Sequence, residues 1–255
     1  MAAQRTSTRR RQEGIRNLVF SGTQMVDEIA KAMDVSPSTI RRDLTVLEDQ
    51  GVVTRTLGGA IPSPQIREKV LAEREEIEVG AKIQIAKAAA ELIPEEASVI
   101  FLDAGSSCSR LIPHLGNRGP LTVVTRGLEI ALALADDPNI EVLLTGGKVF
   151  RNSHSLSGAL FTAAVEKLYV DIAFLGCDAV HPVDGVGEPT LAEAQTKELI
   201  ASRSNRTVVL AHASKLGLRQ HAWAPMPRGW TLVTDERSRG KLKPYRAAGV
   251  QVVTA

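Results

Sequence analysis

The sequence predicts two unlike parts, an N-terminal winged helix-turn-helix module and a C-terminal α/β domain built on a mostly parallel sheet. Three observations carry this. Three short helical patterns and a β-branched hairpin fill the first 60 residues. Seven short apolar runs alternate with helical patterns in the second half. Pro62-Ser-Pro64 punctuates the chain between them. The expected division is 1–60 for the first module, 61–80 for a linker and 81–255 for the second domain. A chain of 255 residues is long enough for two separate cores.

The first helix is expected from Arg11 to Phe20, with Ile15, Leu18 and Val19 at core spacing, and Ser21-Gly22 breaks it. The second runs from about Met25 to Met33 on Val26, Ile29 and Met33, and Asp34-Val35 turns the chain. The third opens at Ser36-Pro37, a capping serine followed by a proline with its φ already helical, and continues through Leu47. Ile40, Leu44 and Leu47 fall at i, i+4, i+7 and form its buried stripe. Ser38, Arg41, Arg42 and Thr45 are left outward, and Ser36 and Thr39 add hydroxyls at the helix start. Ser38, Arg42 and Thr45 are themselves spaced i, i+4, i+7, so they can enter one groove together. Short hydroxyls and arginines suit phosphate oxygens and base edges. After Gly51, the run from Val52 to Thr56 ends at Gly58-Gly59 and reads as a hairpin, a wing over 52–58 that carries Arg55. The bland alternative is a three-helix packing unit whose arginines only solvate its surface.

The charge distribution favours the first reading. The net charge is +2. Residues 1–60 hold 9 basic and 7 acidic side chains, and the remainder balances. Arg5, Arg9, Arg10 and Arg11 cluster at the start. Such an arm either touches a polyphosphate backbone or is a solvated tail. Hydrophobic residues at 44% and charged residues at 24% exclude extended disorder. No apolar run approaches a membrane span of roughly 20 residues, and the N-terminus lacks the apolar core of a secretory signal. Two cysteines, Cys108 and Cys177, give no disulfide framework, and a cytoplasmic location is expected. The five histidines have no metal-ligand spacing, so no metal or cofactor is expected.

Val35-Ser-Pro-Ser-Thr-Ile-Arg-Arg-Asp-Leu44, Leu47-Glu-Asp-Gln-Gly51 and Arg55-Thr-Leu-Gly-Gly-Ala60 together resemble the N-terminal signature of the DeoR family of bacterial transcriptional regulators. The resemblance runs for about 50 residues. It implies a regulator, a repressor by that resemblance alone, that binds operator DNA as a homo-oligomer.

In the second part, residues 67–78 form an acidic-basic stretch expected to be helical and to merge with an apolar helix over 83–93. Strands are expected at 99–102, 121–124, 140–144, 172–175, 207–210, 231–233 and 250–253, with helices at 128–135, 159–168 and 191–203 between some of them. Ligands in such sheets sit beyond the carboxyl ends of the strands. There the chain places Asp103-Ala-Gly-Ser-Ser-Cys108, where a helix is expected to start, with Thr125-Arg126, Thr145-Gly-Gly-Lys148 and Ala211-His-Ala-Ser-Lys215 after other strands. Backbone N–H groups at a helix start, serine hydroxyls and lysines suit an anionic, hydroxylated small molecule. Each loop also has an ordinary reading. Gly146-Gly147 alone reads as a tight turn, Asp103 as a helix cap, Lys148, Lys197 and Lys215 as solvated cations, and Glu188 and Glu193 as surface charges. No Walker or nucleophile-elbow pattern occurs.

The resemblance continues through Phe101–Ser107, Val123–Thr125, Leu144–Gly147, Asp171–Gly176, the Glu193–Lys197 helix and Ala213–Lys215. It implies a sensor domain related in fold to ribose-phosphate isomerases and bound to a phosphorylated sugar or sugar catabolite. On matching residues, Asp103, Gly105, Ser106 and Ser107 would hold the phosphate or nearby hydroxyls. Thr125, Gly147, Lys197 and Lys215 would complete the pocket, with Glu193 a weaker candidate. Arg126 and Lys148 are added from their own loops. Two departures stand out: Arg126 replaces the family's usual Asn, and His212 its usual Asp. An alternative is a sugar-phosphate isomerase with an appended DNA-binding domain, with Asp103, Glu188 or Glu193 as the base.

Overall fold

In a computed structural model of the chain, the described residues are 11–12, 14–19, 22–49, 53–62, 70–116 and 120–255. They fall into two compact units that divide between Arg67 and Glu68.

The first unit contains α1 (14–19), α2 (Val26–Met33), α3 (Pro37–Asp49) and a hairpin of β1 (Val53–Thr56) and β2 (Gly59–Pro62). β2 ends at Pro62, past the expected edge at residue 60. The apolar stripe is buried as the spacing requires. Ile15, Val19, Ile29, Ile40, Leu44 and Leu47 share one core with Val53 and Ala60 of the hairpin. α2 stops because Asp34 takes a left-handed conformation, φ +52°. Ser36 accepts the backbone N–H of Thr39 at 3.3 Å, which caps α3. The hairpin lies against the start of α2: Val26 N donates to Gly58 O at 2.9 Å and Ala60 N to Gln24 O at 2.8 Å. The approach is so close that a Cβ on Gly59 would stand 2.0 Å from Gln24 O.

The second unit begins with α4 (Leu71–Glu75) and α5 (Val79–Ala90). The expected continuous helix is therefore corrected. Glu78 adopts φ +51°, which ends one helical path and starts another. The turn lets Lys82 on α5 reach back and donate to Arg74 O.

The strands β3 (Val99–Leu102), β4 (Leu121–Thr125), β5 (Ile140–Leu144), β8 (Val170–Leu175), β11 (Ser204–Leu210), β13 (Thr231–Thr234) and β14 (Gln251–Thr254) form one seven-stranded sheet. Every pairing in it is parallel. Its order is β14-β13-β11-β8-β3-β4-β5. Alternate residues serve two cores. Phe101, Ala173, Leu175 and Val209 pack on one face with α7 (Ala159–Val165), α8 (Leu191–Ser202) and Tyr245 of α9 (Arg239–Ala247). Ile100, Leu102, Phe174 and Val208 pack on the other with α5 and α6 (Leu128–Leu134). Successive strands leave β3 in opposite directions, β4 and β5 one way and β8 onward the other. The switch in winding lies between β3 and β8, where a crevice opens at the strand ends.

Short antiparallel pieces supplement the sheet. β6 (Lys148–Val149) pairs with β7 (Leu156–Ser157), and β10 (Gly185–Glu188) lies between β9 (Ala179–His181) and β12 (Ala222–Ala224). The α-helix expected to start near Asp103 is also corrected. The loop is followed by a 3₁₀ turn, Ser109–His114, which contains Pro113.

Candidate functional site

In the first unit, Ser36, Ser38, Arg41, Arg42, Thr45 and Arg55 are exposed, and Thr39 is half-buried with its hydroxyl 2.9 Å from Ser36 Oγ. With Ile40, Leu44 and Leu47 facing inward, the outer face of α3 presents Ser38, Arg42 and Thr45 together. The Arg55 guanidinium donates to Thr45 Oγ1 at 3.3 Å, and Glu48 accepts the Arg55 backbone N–H at 2.9 Å. The wing arginine thus joins the α3 surface and does not stand apart from it. Arg5, Arg9 and Arg10 lie outside the described residues. Arg11 is corrected out of the arm. It donates to the buried carboxylate of Asp43 on α3 at 2.6 and 3.3 Å, and Gln12 donates to the same carboxylate. The hydrogen bond to Asp43 raises the Arg11 pKa, and the pair ties the residues just before α1 to α3.

In the second unit, an open cleft lies at the crevice between β3 and β8. The sequence candidates Gly105, Ser106, Ser107, Arg126, Lys197 and Lys215 line it. Gly105 makes the loop possible, with φ +112°. Among the described residues, no group accepts the backbone N–H of Gly105, Ser106 or Ser107. Ser106 Oγ accepts from Lys82 Nζ at 3.0 Å. Lys215 reaches the same cleft and donates to Cys177 O.

Beneath the loop is a buried ionic network. Arg126 is 2% exposed. It bonds Asp103 through Nε at 2.6 Å and Glu193 through both terminal nitrogens at 2.8 and 3.3 Å. Lys197 donates to Asp103 and to Gly176 O, and its Nζ lies 3.4 Å from Glu188 Oε1. Burial alone would lift the Asp103 pKa, but Arg126 and Lys197 outweigh it and hold the carboxyl below its ordinary range. Burial likewise opposes charge on Lys197, and Asp103 and Glu188 reverse it, so its pKa rises. Glu188 gains no such compensation. Burial, helped by Asp178, Glu193 and Asp103, pushes it up to about 8 against the pull of Lys197. Lys82 moves the other way. Burial and the charges of Lys215, Arg110 and Arg74 lower it to about 8.

Four expected cleft residues are corrected. Asp103 is fully buried, and both its oxygens are taken by Arg126, Lys197 and the N–H groups of Ala104 and Gly176. It anchors cations and touches no open space. Thr125 is also fully buried, donating to Leu102 O at 2.6 Å and accepting from Gly127 N at 3.0 Å. Gly147 serves the turn, with φ +120° and Ser157 O only 2.4 Å from where a Cβ would stand. Lys148 is exposed on β6, outside the cleft. Glu188 and Glu193, readable as surface charges, are instead buried. His212 is buried beside Ser214, 2.9 Å from its hydroxyl.

Sequence reasoning passed over Arg74, Lys82 and Ser153. Lys82 had a readable signal. It shares an i, i+3, i+4, i+7 stripe with Ile85, Ala86 and Ala89, all buried on α5, so a cation was being carried inward. Arg74 and Ser153 lie in segments with no such pattern. Burial raises both cysteine thiols, Cys177 to about 11, so neither is an activated nucleophile. Among the described residues, no cluster of His, Cys, Asp or Glu is placed to hold a metal ion, and no helix is long and apolar enough to cross a membrane.

Comparison with known proteins gives a matching division of the chain. Residues 10–64 match the DeoR-like helix-turn-helix domain, and residues 77–236 match the DeoR C-terminal sensor domain. The chain belongs to the DeoR family of transcriptional regulators. It is 33% identical over 238 residues to the HTH-type transcriptional regulator GolR of Listeria innocua, covering 90% of this chain and 91% of that one. It is 29% identical over 206 residues to the glycerol-3-phosphate regulon repressor of Haemophilus influenzae, covering 81% and 80%. Among solved structures it is similar to ribose 5-phosphate isomerase A of Neisseria gonorrhoeae, with 20% identity, a TM-score of 0.41 and coverage of 57% and 55%.

Proposed function

We propose that this DeoR-family member is a repressor of carbohydrate-metabolism genes whose hold on operator DNA is set by a phosphorylated sugar or sugar catabolite in the cleft. The observation that carries the reading is the unaccepted N–H loop at Gly105–Ser107, flanked by Lys82 and Lys215. Around the cleft, the cations Arg74, Lys82, Arg126, Lys197 and Lys215 outnumber the carboxyls Asp103, Asp178, Glu188 and Glu193. The excess is positive and lies on the loop side. Lys82, whose pKa is lowered first by burial and then by Lys215, Arg110 and Arg74, adds to a cluster of cations that suits an anion. The name of the Haemophilus relative, which refers to a phosphate ester, supports the same class of ligand.

The isomerase alternative is weaker on these groups. Asp103 and Glu193 are held as ion-paired carboxylates of low basicity, and Glu188 is set to stay protonated near neutral pH. Neither of the two ion-paired carboxylates is poised as a base.

On the DNA side, Ser38, Arg42 and Thr45 of α3 enter the major groove, and Arg55 extends the contact. One such module makes a small interface, so paired half-sites bound by a homo-oligomer supply the affinity. The ligand changes occupancy only by binding the DNA-competent and DNA-incompetent states unequally.

The test measures binding of the full chain to its own upstream DNA by fluorescence anisotropy, with triose, pentose and hexose phosphates added in turn. At least one should change operator affinity, and Lys215→Ala should bind DNA as wild type while losing that response. Indifference of the wild type to every phosphate ester, or catalytic turnover of one of them, overturns the proposal.

A further inference from the structure

One wall of the cleft is not explained by phosphate. Glu188 sits at the end of β10, where Gly187 packs so closely that a Cβ would stand 3.0 Å from Ala179 and Gln220. The strand is thereby fixed, and with it the carboxyl, which lines the cleft. Glu188 is 5% exposed. Its Oε1 is buried and has no hydrogen-bond partner among the described residues, although Lys197 Nζ lies 3.4 Å away. Asp103 and Glu193 are held in hydrogen-bonded ion pairs, Asp103 by Arg126 and Lys197 and Glu193 by Arg126, whereas Glu188 has only the longer approach of Lys197. A buried polar atom left unmatched costs stability, and such atoms are rare in folded proteins.

We propose that Glu188 is the hydroxyl-reading residue of the cleft, hydrogen-bonding the end of a phosphorylated sugar or polyol remote from its phosphate. The inference rests on the phosphate-ester reading above and adds the residue that discriminates among such esters. A carboxyl suits the task whichever way it titrates. Protonated, it donates one hydrogen bond and accepts others; ionised, it accepts only. A sugar hydroxyl does both. The groups facing it also favour a neutral ligand end over a second anion. Asp178, Glu193 and Asp103 surround it, and Lys197 is already committed to Asp103 and Gly176. The cleft therefore has two poles. A loop with Lys82 and Lys215 takes the dianion, and a carboxyl wall takes hydroxyls. Selectivity for chain length and stereochemistry comes from the second pole, because a site built to pair a hydroxyl rejects ligands that leave it unpaired.

The experiment titrates the full chain, Glu188→Gln and Glu188→Ala by calorimetry with inorganic phosphate and with triose, pentose and hexose phosphates. The readout is the affinity of the best ester divided by that of inorganic phosphate. In Glu188→Ala this ratio should fall about tenfold, the worth of one well-made hydrogen bond to a buried group. In Glu188→Gln, which keeps a donor and an acceptor, most of it should return. Inorganic phosphate should bind all three alike. The melting temperature without ligand should be no lower in Glu188→Gln, which replaces the buried unmatched carboxyl by a neutral group of the same size. A ratio unchanged in Glu188→Ala, or lost equally in Glu188→Gln, overturns the role of Glu188 and leaves the phosphate pole standing. A wild type that binds neither phosphate nor any ester overturns the cleft reading itself.

Discussion

Replacing Arg126 by methionine tests the architecture beneath the cleft. The guanidinium is 2% exposed and bridges Asp103 at 2.6 Å and Glu193 at 2.8 Å. Methionine keeps much of the volume and removes the charge. Asp103 keeps Lys197 and two backbone N–H groups, but Glu193 loses its only ion-pair partner among the described residues. Breaking a buried pair by deleting one member costs about 3–5 kcal/mol. In a unit of this size that lowers the melting temperature by roughly 6–20 °C. Both tryptophans, Trp223 and Trp230, lie in the second unit, so their fluorescence reports its unfolding. The sign with pH follows from the carboxyl. In wild type the Glu193 pKa is lowered: burial opposes this, and Arg126 outweighs burial. Its contribution is present above pH 4.5 and lost as pH falls. Without Arg126 burial dominates, so the carboxylate becomes a penalty at neutral pH that protonation removes. The gap between wild type and Arg126→Met should be widest near pH 7 and should narrow towards pH 4.5. Adding Glu193→Gln should recover part of it at pH 7. A variant that melts within about 2 °C of wild type at pH 7, or a gap independent of pH, would refute the reasoning.

Four further outcomes are expected. Glu188→Gln should stabilise the second unit increasingly from pH 4.5 to pH 8 and by a constant amount above it, because the native carboxyl stays protonated to about 8 while the unfolded one ionises near 4.5; thermal melts across that range check this. Gly59→Ala should dislodge the wing from the start of α2, since its Cβ would stand 2.0 Å from Gln24 O, and should weaken operator binding without altering the tryptophan-reported melt. Arg42→Ala should cost about 1–3 kcal/mol of operator affinity and relax sequence preference, measured by titration against operator variants. Arg11→Ala should destabilise the first unit by about 1–3 kcal/mol, seen in amide exchange of α3, because it leaves the buried Asp43 carboxylate short of its cation; salt dependence of DNA binding should change little.

The same logic revises an obvious experiment. Asp103 looks like a ligand contact from its place after β3, and Asp103→Ala then looks like a clean loss of ligand response. The structure puts it under Arg126 and Lys197, so removing it strands two buried cations. Lys215, which faces the cleft, is the better probe.

What was legible in the sequence is what local physics writes there. The three helices of the first unit follow from their apolar stripes, and α3 also from its serine cap and leading proline. The buried strands follow from β-branched runs, and the loops from glycine. The outward face of Ser38, Arg42 and Thr45 was readable because helical periodicity alone fixes it. The break at Glu78 was not, because a left-handed glutamate has no signature in the chain. Nor were the Gly-Val-Gly-Glu strand and its partners, which are too short for a period to show.

Strand order could not be read either, since nothing local says that β3 pairs with β4 on one side and with β8, about 70 residues away, on the other. That order alone places the crevice, and the crevice decides which polar residues meet. Arg74 and Glu188 enter it and Lys82 backs its Ser106, while Thr125, Gly147 and Lys148 do not. Residue type and spacing set what each segment prefers. Which charge is buried beside which depends on contacts between distant parts of the chain, and these exist only once the sheet has formed.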